Sequence, residues 1–375
     1  MTKILMLNLE FPPVGGGAAN ANYYLLRELK ENQEVSVDFI TTSSNNIYET
    51  EDFSENIRIY KLNVRKKGFS FWSMPEVILW TWKTFWFTKK LLRNNQYDLL
   101  HCWFGWPSGI IGYLFKNKLP YIIALRGSDV PGYNIRLKYL DKYVFNNLSK
   151  LIWKNAQAIT TNSRTLRGLA QKTWDGKKID LIYNGVDLKK FAPKISQKNT
   201  ITILYVGRLI TRKGLIYLLQ AFKEISRTQS NCYLNIAGDG PERNKLVNFC
   251  KDEKIDTFVN FLGDVSGEHI AQSYQDADIF VLPSLKESMA NAAMEAMASG
   301  LPVVTTDTGV AELVRGNGII VEVCDCKSIK NALLKYIKDP DLMKKHGMKS
   351  REIAEKISWH NNMFRYVQLY NKIIN

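Results

Sequence analysis

Short apolar and β-branched runs alternate with helical patterns along the whole chain, and they do so in two successive series. A strand, helix, strand order of this kind builds parallel sheets covered by helices. A polar, lysine-rich stretch at residues 189–200 separates the two series. The predicted strands span residues 3–9, 35–41, 99–102 and 121–125 in the first series, and 201–206, 232–237, 259–262, 279–282 and 303–305 in the second.

The two series predict an α/β protein with two Rossmann-like domains. A chain of 375 residues also exceeds what one hydrophobic core normally holds. We place an N-terminal domain at residues 1–190 and a C-terminal domain at residues 191–357. Aromatic and aliphatic residues then recur at helical spacing over residues 358–375, which predicts a terminal amphipathic helix.

A glycine-rich turn, Gly15-Gly16-Gly17, follows the first predicted strand and precedes a helical stretch that starts near Asn22. Glycines let a backbone approach a ligand closely, and the amides at a helix start favour a phosphate or a sugar oxygen. We therefore take Gly16 and Gly17 as candidate ligand-binding residues. A tight structural turn is the alternative, and the absence of GxGxxG spacing counts against a dinucleotide site.

Two cations follow the first strand of the second series, in the stretch from Gly207-Arg208 to Lys213-Gly214. Arg208 and Lys213 at the end of a strand could neutralise a departing diphosphate without a metal ion. Cations are unfavourable at a helix N-terminus, so an anionic ligand would offset their repulsion by the helix dipole. A solvated basic helix start is the alternative.

The stretch from Leu282 to Val304 is the most specific in the chain, because it holds Glu287 and Glu295 eight residues apart. On one helix these glutamates would lie about 80° apart around the axis and roughly 12 Å apart along it. Glu287 would then bind sugar hydroxyls and Glu295 ribose hydroxyls, while the backbone amides of the next residues receive a phosphate. Those residues are Ser288, Met289 and Ala290. A surface glutamate pair is the alternative.

This pair matches an E-x7-E motif, and the chain resembles the family 4 retaining glycosyltransferases over nearly its full length. Further motifs occur in that family's order: Gly15 to Gly17, Asn184-Gly-Val-Asp187, Gly207-Arg208 with Lys213-Gly214, Gly238-Asp-Gly-Pro241 and Phe261-Leu-Gly263. The resemblance implies a GT-B fold, with two facing Rossmann-like domains, a cleft between them and a C-terminal helix that packs back on the N-terminal domain.

The same resemblance implies a UDP- or GDP-linked sugar donor, no obligatory metal or other cofactor, and transfer with retention at the anomeric carbon. By resemblance Arg208 and Lys213 bind the diphosphate, Glu295 the ribose and Glu287 the donor sugar. The loop from Phe261 to Val265 binds the base. Gly16, Gly17 and Gly238 complete the expected donor site.

One motif departs from the family pattern. Where many members have His-Gly-x-Asp, this chain has Arg126-Gly127-Ser128-Asp129. Arginine cannot act as a base, but its permanent charge could stabilise the developing phosphate charge or bind an acidic acceptor. We place Arg126 among the catalytic candidates and Asp129 and His101 on the acceptor side. A buried structural histidine is the alternative for His101.

Charge and tryptophan are concentrated in the first half. Residues 1–195 hold 28 Lys and Arg against 16 Asp and Glu, a net +12 of the +15 total, and eight of the nine tryptophans. Trp72, Trp80, Trp82 and Trp86 lie beside lysines, a combination typical of membrane interfaces. We therefore expect an anionic membrane surface as a partner and a lipid-linked or cell-envelope polysaccharide as the acceptor.

Other observations limit the alternatives. The five cysteines are scattered and form no zinc pattern, which fits a reducing cytoplasm, and no stretch is long and apolar enough to span a membrane. Asp276-Ala-Asp278 resembles a metal-binding DxD, but its helical context favours a structural role. We expect no nucleic-acid partner and a monomer or weak homodimer. A nucleotide-sugar epimerase or a phosphorylase-like enzyme of the same architecture, and a basic nucleic-acid-binding protein, remain alternatives.

Overall fold

The computed structural model describes residues 1–69, 71–134, 138–194, 199–265, 267–287 and 289–375. It divides into two compact units: unit 1 comprises Met1–Gly185 with Trp359–Asn375, and unit 2 comprises Val186–Ser358. The boundary thus follows Gly185, whereas the sequence placed it after Lys190. Among the described residues, no helix is long and apolar enough to cross a membrane.

Unit 1 is built on a sheet of eight strands within the described residues, in the order β3-β4-β2-β1-β5-β6-β7-β8. All neighbours pair in parallel except β3 and β4, which are antiparallel. The central strands are buried on both faces, which explains their continuous apolar runs. The strands are β1 (Thr2–Leu7), β2 (Val35–Thr42), β3 (Glu49–Ser54), β4 (Ile57–Leu62), β5 (Leu99–Trp103), β6 (Tyr121–Leu125), β7 (Ala158–Thr161) and β8 (Ile179–Leu181).

Helices connect these strands. The glycine-rich turn leads directly into the first helix, which begins at Gly17 and not near Asn22. A π-helical turn, Asp141–Phe145, joins α4 to α5. The helices are α1 (Gly17–Leu29), α2 (Met74–Asn94), α3 (Ser108–Phe115), α4 (Lys138–Leu140), α5 (Asn146–Asn155) and α6 (Arg164–Thr173).

Unit 2 has a six-stranded parallel sheet within the described residues, in the order β11-β10-β9-β12-β13-β14. Its strands are β9 (Ile201–Val206), β10 (Cys232–Ala237), β11 (Val259–Gly263), β12 (Ile279–Leu282), β13 (Val303–Thr306) and β14 (Gly318–Val321). Its helices are α7 (Leu215–Ser226), α8 (Arg243–Asp252), α9 (Gly267–Gln275), α10 (Asn291–Ala298), α11 (Cys326–Lys338) and α12 (Pro340–Glu355).

The last helix, α13 (Trp359–Ile374), belongs to unit 1. Its buried face carries Trp359, Tyr366 and Tyr370, whereas Phe364 is exposed. Trp359 stacks on Tyr24 of α1 with ring centroids 5.2 Å apart. Tyr366 and Tyr370 lie in the same core, against the sheet of unit 1. Aromatic burial therefore holds the end of the chain on the unit where the chain begins.

Both sheets have a switch point, where successive strands change from one side of the first strand to the other. In unit 1 the change occurs between β1 and β5, and in unit 2 between β9 and β12. Open parallel sheets bind ligands beyond the carboxyl ends of their strands at such points. The loops after β1, β9 and β12 are therefore the first places to look for a site.

Candidate functional site

In unit 2 the loops after β9 and β12 pack backbone against backbone. The Leu285 amide donates a hydrogen bond to the Arg212 carbonyl at 2.8 Å. Gly214 has φ +66°, and a Cβ added there would lie 2.1 Å from the Pro283 carbonyl oxygen. Only glycine fits such a contact, so Gly214 keeps the two loops together.

This packing brings two predicted site residues into direct contact. Lys213 Nζ lies 2.5 Å from Glu287 Oε2, with the side chains 13% and 9% exposed. The sequence assigned the lysine to a diphosphate and the glutamate to a sugar, 74 residues apart. The structure joins them as a largely buried ion pair at the switch point of the sheet.

Arg208 lies at the same edge but is solvent exposed. Its carbonyl oxygen accepts a hydrogen bond from the Tyr205 hydroxyl at 3.1 Å. Within the described residues its guanidinium group has no ion-pair partner. Arg208 therefore provides an exposed cation on the loop after β9, without a carboxylate partner among the described residues.

The helical geometry that the sequence predicted for the two glutamates is wrong. Helix α10 begins at Asn291 with Ala290 as its N-cap, so Glu287 lies in the loop that precedes the helix. The predicted angle and rise between Glu287 and Glu295 therefore do not apply. Met289 and Ala290 are buried, and the first amides of a helix have no intrahelical acceptors. Ser288, predicted as part of the site, lies outside the described residues.

Glu295 lies one turn into α10 and accepts a hydrogen bond from the Tyr274 hydroxyl at 2.9 Å. Burial raises the pKa of Glu295, while the Tyr274 bond and the charge of Lys190 oppose that rise. The sequence did not indicate Tyr274 or Lys190 as neighbours of this glutamate. Neither residue stands at a spacing that reveals the contact, because both come from other segments of unit 2.

The neighbouring strand ends complete this edge. Gly238 has φ +132°, and a Cβ there would lie 2.1 Å from the Gly207 carbonyl oxygen. Its amide donates to the Gly263 carbonyl at 2.6 Å, which ties the ends of β10 and β11 together. Val265 follows as a half-buried residue. Gly238 thus permits close packing of loops, and Val265 lies just beyond them.

The Asp276-Ala-Asp278 stretch is tied into the framework of unit 2. Asp278 accepts a hydrogen bond from the Thr202 amide at 2.7 Å, which links the start of β12 to β9. Asp276 lies 3.7 Å from Lys194 and accepts from Gln272. Among the residues that the structure describes, no group of three or more His, Cys, Asp or Glu is placed to hold a metal ion.

In unit 1 the glycine-rich turn rests on a carboxyl group that the sequence analysis missed. Gly15 has φ +105°, and a Cβ there would lie 2.7 Å from Glu10. The Gly16 amide lies 3.4 Å from Glu10 Oε2, and burial raises the pKa of this glutamate. A Cβ added at Gly16 or Gly17 would meet no described atom within 4 Å beyond its chain neighbours. Packing within the described protein therefore does not require glycine at these two positions.

Arg126 is held rigidly in unit 1. Its guanidinium carbon lies 3.8 Å from the centroid of the Trp103 ring, and Nη1 donates to Asn184 Oδ1 at 2.9 Å. Its buried Nε has no hydrogen-bond partner among the described residues. Burial lowers the pKa of Arg126, but a guanidinium group remains protonated at physiological pH. The side chain is therefore a fixed cation with an unused donor.

The two acceptor-side candidates, Asp129 and His101, face inward. The Asp129 carboxylate is buried and accepts from the amides of Gly105, Arg126 and Gly127 at 2.6, 3.0 and 2.8 Å. It supports the loop that carries Arg126. His101 is fully buried with Nδ1 2.8 Å from the Tyr370 hydroxyl. Burial, and secondly the charge of Arg126, lower the pKa of His101, which favours the neutral ring.

Trp80, Trp82 and Trp86 of the tryptophan-rich segment lie on α2, which has two different faces, and Trp72 precedes the helix. Trp80 is fully buried, whereas Trp82 and Trp86 are 59% and 49% exposed. The helix start is capped by Glu76, whose carboxylate accepts from the amides of Ser73 and Lys67 at 2.9 and 3.0 Å. One face of α2 therefore packs into unit 1 and another presents indole rings to solvent.

Two protein-family models match the chain, one in each half. Residues 15–190 match the model described as Glycosyltransferase Family 4, and residues 187–353 match the model described as Glycosyl transferases group 1. Together the matches include every predicted site residue.

Relatives and solved structures extend this result over the full length. The chain is 26% identical over 380 residues to an uncharacterised glycosyltransferase of Methanocaldococcus jannaschii, with 99% of this chain and 98% of the relative covered. It is 28% identical over 309 residues to the UDP-Gal:alpha-D-GlcNAc-diphosphoundecaprenol alpha-1,3-galactosyltransferase of Escherichia coli, with 76% of each covered. The sucrose-phosphate synthase of Thermosynechococcus elongatus has a TM-score of 0.83 at 22% identity, with 100% of this chain and 99% of that chain covered. This likeness shows the fold.

Proposed function

The chain belongs to the family 4 glycosyltransferases of the GT-B fold, and we propose that it moves a sugar from a UDP- or GDP-linked donor to a lipid-linked or cell-envelope polysaccharide acceptor, with retention and without an obligatory metal. The observation that carries the proposal is the Lys213–Glu287 pair at the switch point of unit 2, with the exposed Arg208 on the same loop after β9 that carries Lys213. Neither the epimerase nor the nucleic-acid alternative is kept, because both matching family models describe glycosyltransferases.

In this proposal unit 2 binds the donor. Arg208 and Lys213 bind the diphosphate, and the amides at the start of α10 supply further donors to its oxygens. Glu295 accepts from the ribose, and Glu287 accepts from a hydroxyl of the transferred sugar. In the structure Lys213 contacts Glu287, so the donor must share or displace that contact when it binds.

The proposed reaction needs no protein nucleophile. The bond between the anomeric carbon and the phosphate oxygen breaks, and the acceptor hydroxyl bonds to the same face of that carbon. The acceptor proton passes to the leaving phosphate oxygen. Arg208 and Lys213 stabilise the charge that develops on the diphosphate, which is the role a metal ion plays in other enzymes.

We assign Arg126 to an anionic group of the acceptor. Its side chain is fixed by Trp103 and Asn184, and its Nε has no described partner. A guanidinium group suits bidentate binding of phosphate or carboxylate. The Escherichia coli relative is named for an acceptor linked to a diphosphate, which supports an anionic acceptor here.

Thermal-shift screening against UDP, GDP, ADP and their sugars tests the donor assignment. A ligand at 100 times its dissociation constant adds about 2.7 kcal/mol of stability, enough for a clear shift in Tm. The expected result is a shift with one nucleoside diphosphate and its sugar. The absence of a shift with every nucleotide would refute the proposal.

Product analysis tests the stereochemistry. NMR of the new glycosidic linkage should show the anomeric configuration of the donor, and transfer should proceed at the full rate in EDTA. Inversion would exclude the front-face reaction, and loss of activity in EDTA that returns with a divalent ion would exclude metal independence.

The membrane part of the proposal rests on α2. Indole rings favour the headgroup level of a bilayer, and lysines near an anionic surface contribute about 1 kcal/mol each. Wild-type protein should sediment with anionic vesicles at low salt. A variant with Trp82→Ala and with Lys83, Lys89 and Lys90 changed to Glu should remain in the supernatant, and equal sedimentation of the two proteins would refute docking through this helix.

A further inference from the structure

A pocket of about 510 Å³ lies between α2 and the end of β4, here called the α2 pocket. Trp82, Trp86 and Phe87 form its helix side, and Leu62 and Tyr48 lie opposite. Its volume is in the range of small-molecule sites, and its walls are mostly aromatic and aliphatic. An apolar pocket of this size that opens to solvent suits an apolar ligand.

The exposure of the two indoles has no explanation in the packing of unit 1. Trp82 and Trp86 are one helical turn apart, so their rings share a face of α2, yet they are 59% and 49% exposed. The core-facing residues of the same helix include Trp80 and Leu91, which are buried. Exposed apolar patches of this kind mark interaction sites.

The charge around the α2 pocket is positive. Lys83 and Lys90 line it, and Lys89 lies 4.8 Å from the centroid of the Trp86 ring. Between Val77 and Tyr97 the sequence has no Asp or Glu. The pocket therefore favours a ligand that combines an apolar chain with an anionic group.

Two of the three carboxylates on the adjoining strand β3 are paired with cations of β4. Glu51 lies 2.6 Å from Lys61, and Asp52 lies 2.7 Å from Arg58. Glu49, the third acid of β3, accepts a hydrogen bond from the side-chain amide of Asn45. Lys83 Nζ donates one hydrogen bond to the Asn63 carbonyl at 2.7 Å, which leaves its two other N–H donors and the Lys90 ammonium group for a ligand headgroup.

We propose that the α2 pocket binds one acyl chain of an anionic membrane phospholipid, with the phosphate on Lys83 and Lys90. The inference rests on the proposed function and adds a specific lipid site to it. The source is a membrane phospholipid and not the acceptor, because the pocket adjoins β4, which β2 separates from β1 and its glycine-rich turn. Such a site would hold the enzyme at the membrane without occupying its reaction centre.

Calorimetric titration of the full chain with dihexanoyl phosphatidylglycerol, kept below its micelle concentration, tests the proposal. The expected result is saturable binding with one site. Glycerol phosphate should not bind at the same concentration, and dihexanoyl phosphatidylcholine should bind at least fivefold more weakly. Geranyl phosphate represents an isoprenoid acceptor and should also bind at least fivefold more weakly.

Two double variants locate the site. Trp82→Ala with Trp86→Ala should weaken binding of the phosphatidylglycerol at least tenfold. Tyr139→Ala with Tyr143→Ala is the matched control, because these exposed rings lie elsewhere in unit 1 beside Lys142 and should leave binding unchanged. Unchanged circular dichroism and Tm establish that each variant folds.

The proposal would be overturned if phosphatidylglycerol showed no saturable binding, or if the Trp82 and Trp86 double variant bound it as tightly as wild type. It would also be overturned if the tyrosine control lost as much affinity as the tryptophan variant, or if geranyl phosphate bound more tightly than phosphatidylglycerol. Nucleotide binding in the thermal-shift assay separates this test from the proposed function. Lipid binding without any nucleotide binding would refute the assignment of the glycosyltransferase site and leave the lipid site standing. Nucleotide binding without lipid binding would remove the α2 pocket alone.

Discussion

Replacing Lys213 by Met removes the cation that we assign to the diphosphate but keeps a side chain of similar length. In the structure Lys213 Nζ lies 2.5 Å from Glu287 Oε2, and both side chains are largely buried. A hydrogen bond to a charged group contributes about 1.5–3 kcal/mol. Loss of such a bond to the diphosphate should weaken nucleoside diphosphate binding by roughly 10- to 150-fold.

Glu287→Gln gives the complementary result, because it releases Lys213 from its ion pair. The nucleoside diphosphate should bind this variant at least as tightly as wild type. The sugar nucleotide should lose both affinity and turnover, since Glu287 is assigned to the sugar. Calorimetry with the nucleoside diphosphate, together with kcat and KM for transfer, measures both effects.

Lys223→Met is the matched control. Lys223 belongs to the same unit and lies 2.6 Å from Glu253, but it stands on α7, away from the loops that follow β9 and β12. The Lys223→Met variant should bind nucleotide as tightly as wild type does. Nucleoside diphosphate binding by Lys213→Met within twofold of wild type would refute the diphosphate assignment. If Glu287→Gln lost as much nucleoside diphosphate affinity as Lys213→Met, the idea that Glu287 and the diphosphate compete for Lys213 would be refuted.

Three further predictions concern single groups. Tyr274→Phe removes a hydrogen bond that lowers the pKa of Glu295, so the carboxylate should become protonated at a higher pH. As the pH is lowered, nucleotide affinity should therefore begin to fall at a higher pH in the variant than in wild type. Identical profiles of Kd against pH would contradict this. Burial disfavours the charged form of Glu76, but hydrogen bonds outweigh this effect and lower the carboxyl pKa from 4.5 to about 2. The contribution of Glu76 to folding stability is therefore complete above pH 4.5 and is lost as the pH falls towards 2. Glu76→Gln should therefore flatten the pH dependence of the unfolding free energy over that range, measured by urea melts, and an unchanged slope would count against it. Gly238→Ala places a Cβ 2.1 Å from a carbonyl oxygen and should lower the unfolding free energy by more than about 1 kcal/mol in the same melts. Gly263→Ala, where φ is +72° and the surrounding space is open, should lower it by less. The reverse order would show that the close backbone contact does not determine the cost of the Gly238 substitution.

The local pattern of the sequence was enough to predict the α/β class, the two series of strands and the residues at the strand ends. Long apolar runs such as β1 and β9 are buried on both faces, so their composition alone indicates a central strand. Strand β3 was missed because its residues, Glu49–Ser54, are mostly polar and lie at the edge of the sheet. Strand β4 and the short strands β7, β8 and β14 were also missed, because periodicity over three to six residues does not by itself distinguish a strand from a segment of buried helix.

The contacts within the site were decided by the tertiary structure. Lys213 meets Glu287 because β9 and β12 are adjacent in the sheet, although β10 and β11 come between them in the sequence. His101, predicted on the acceptor side, contacts the Tyr370 hydroxyl of α13, which lies 269 residues further along the chain. Spacing along the chain identifies residue types at the ends of strands. Which of those residues touch depends on strand order and on long-range burial, and neither is encoded in any short stretch of the sequence.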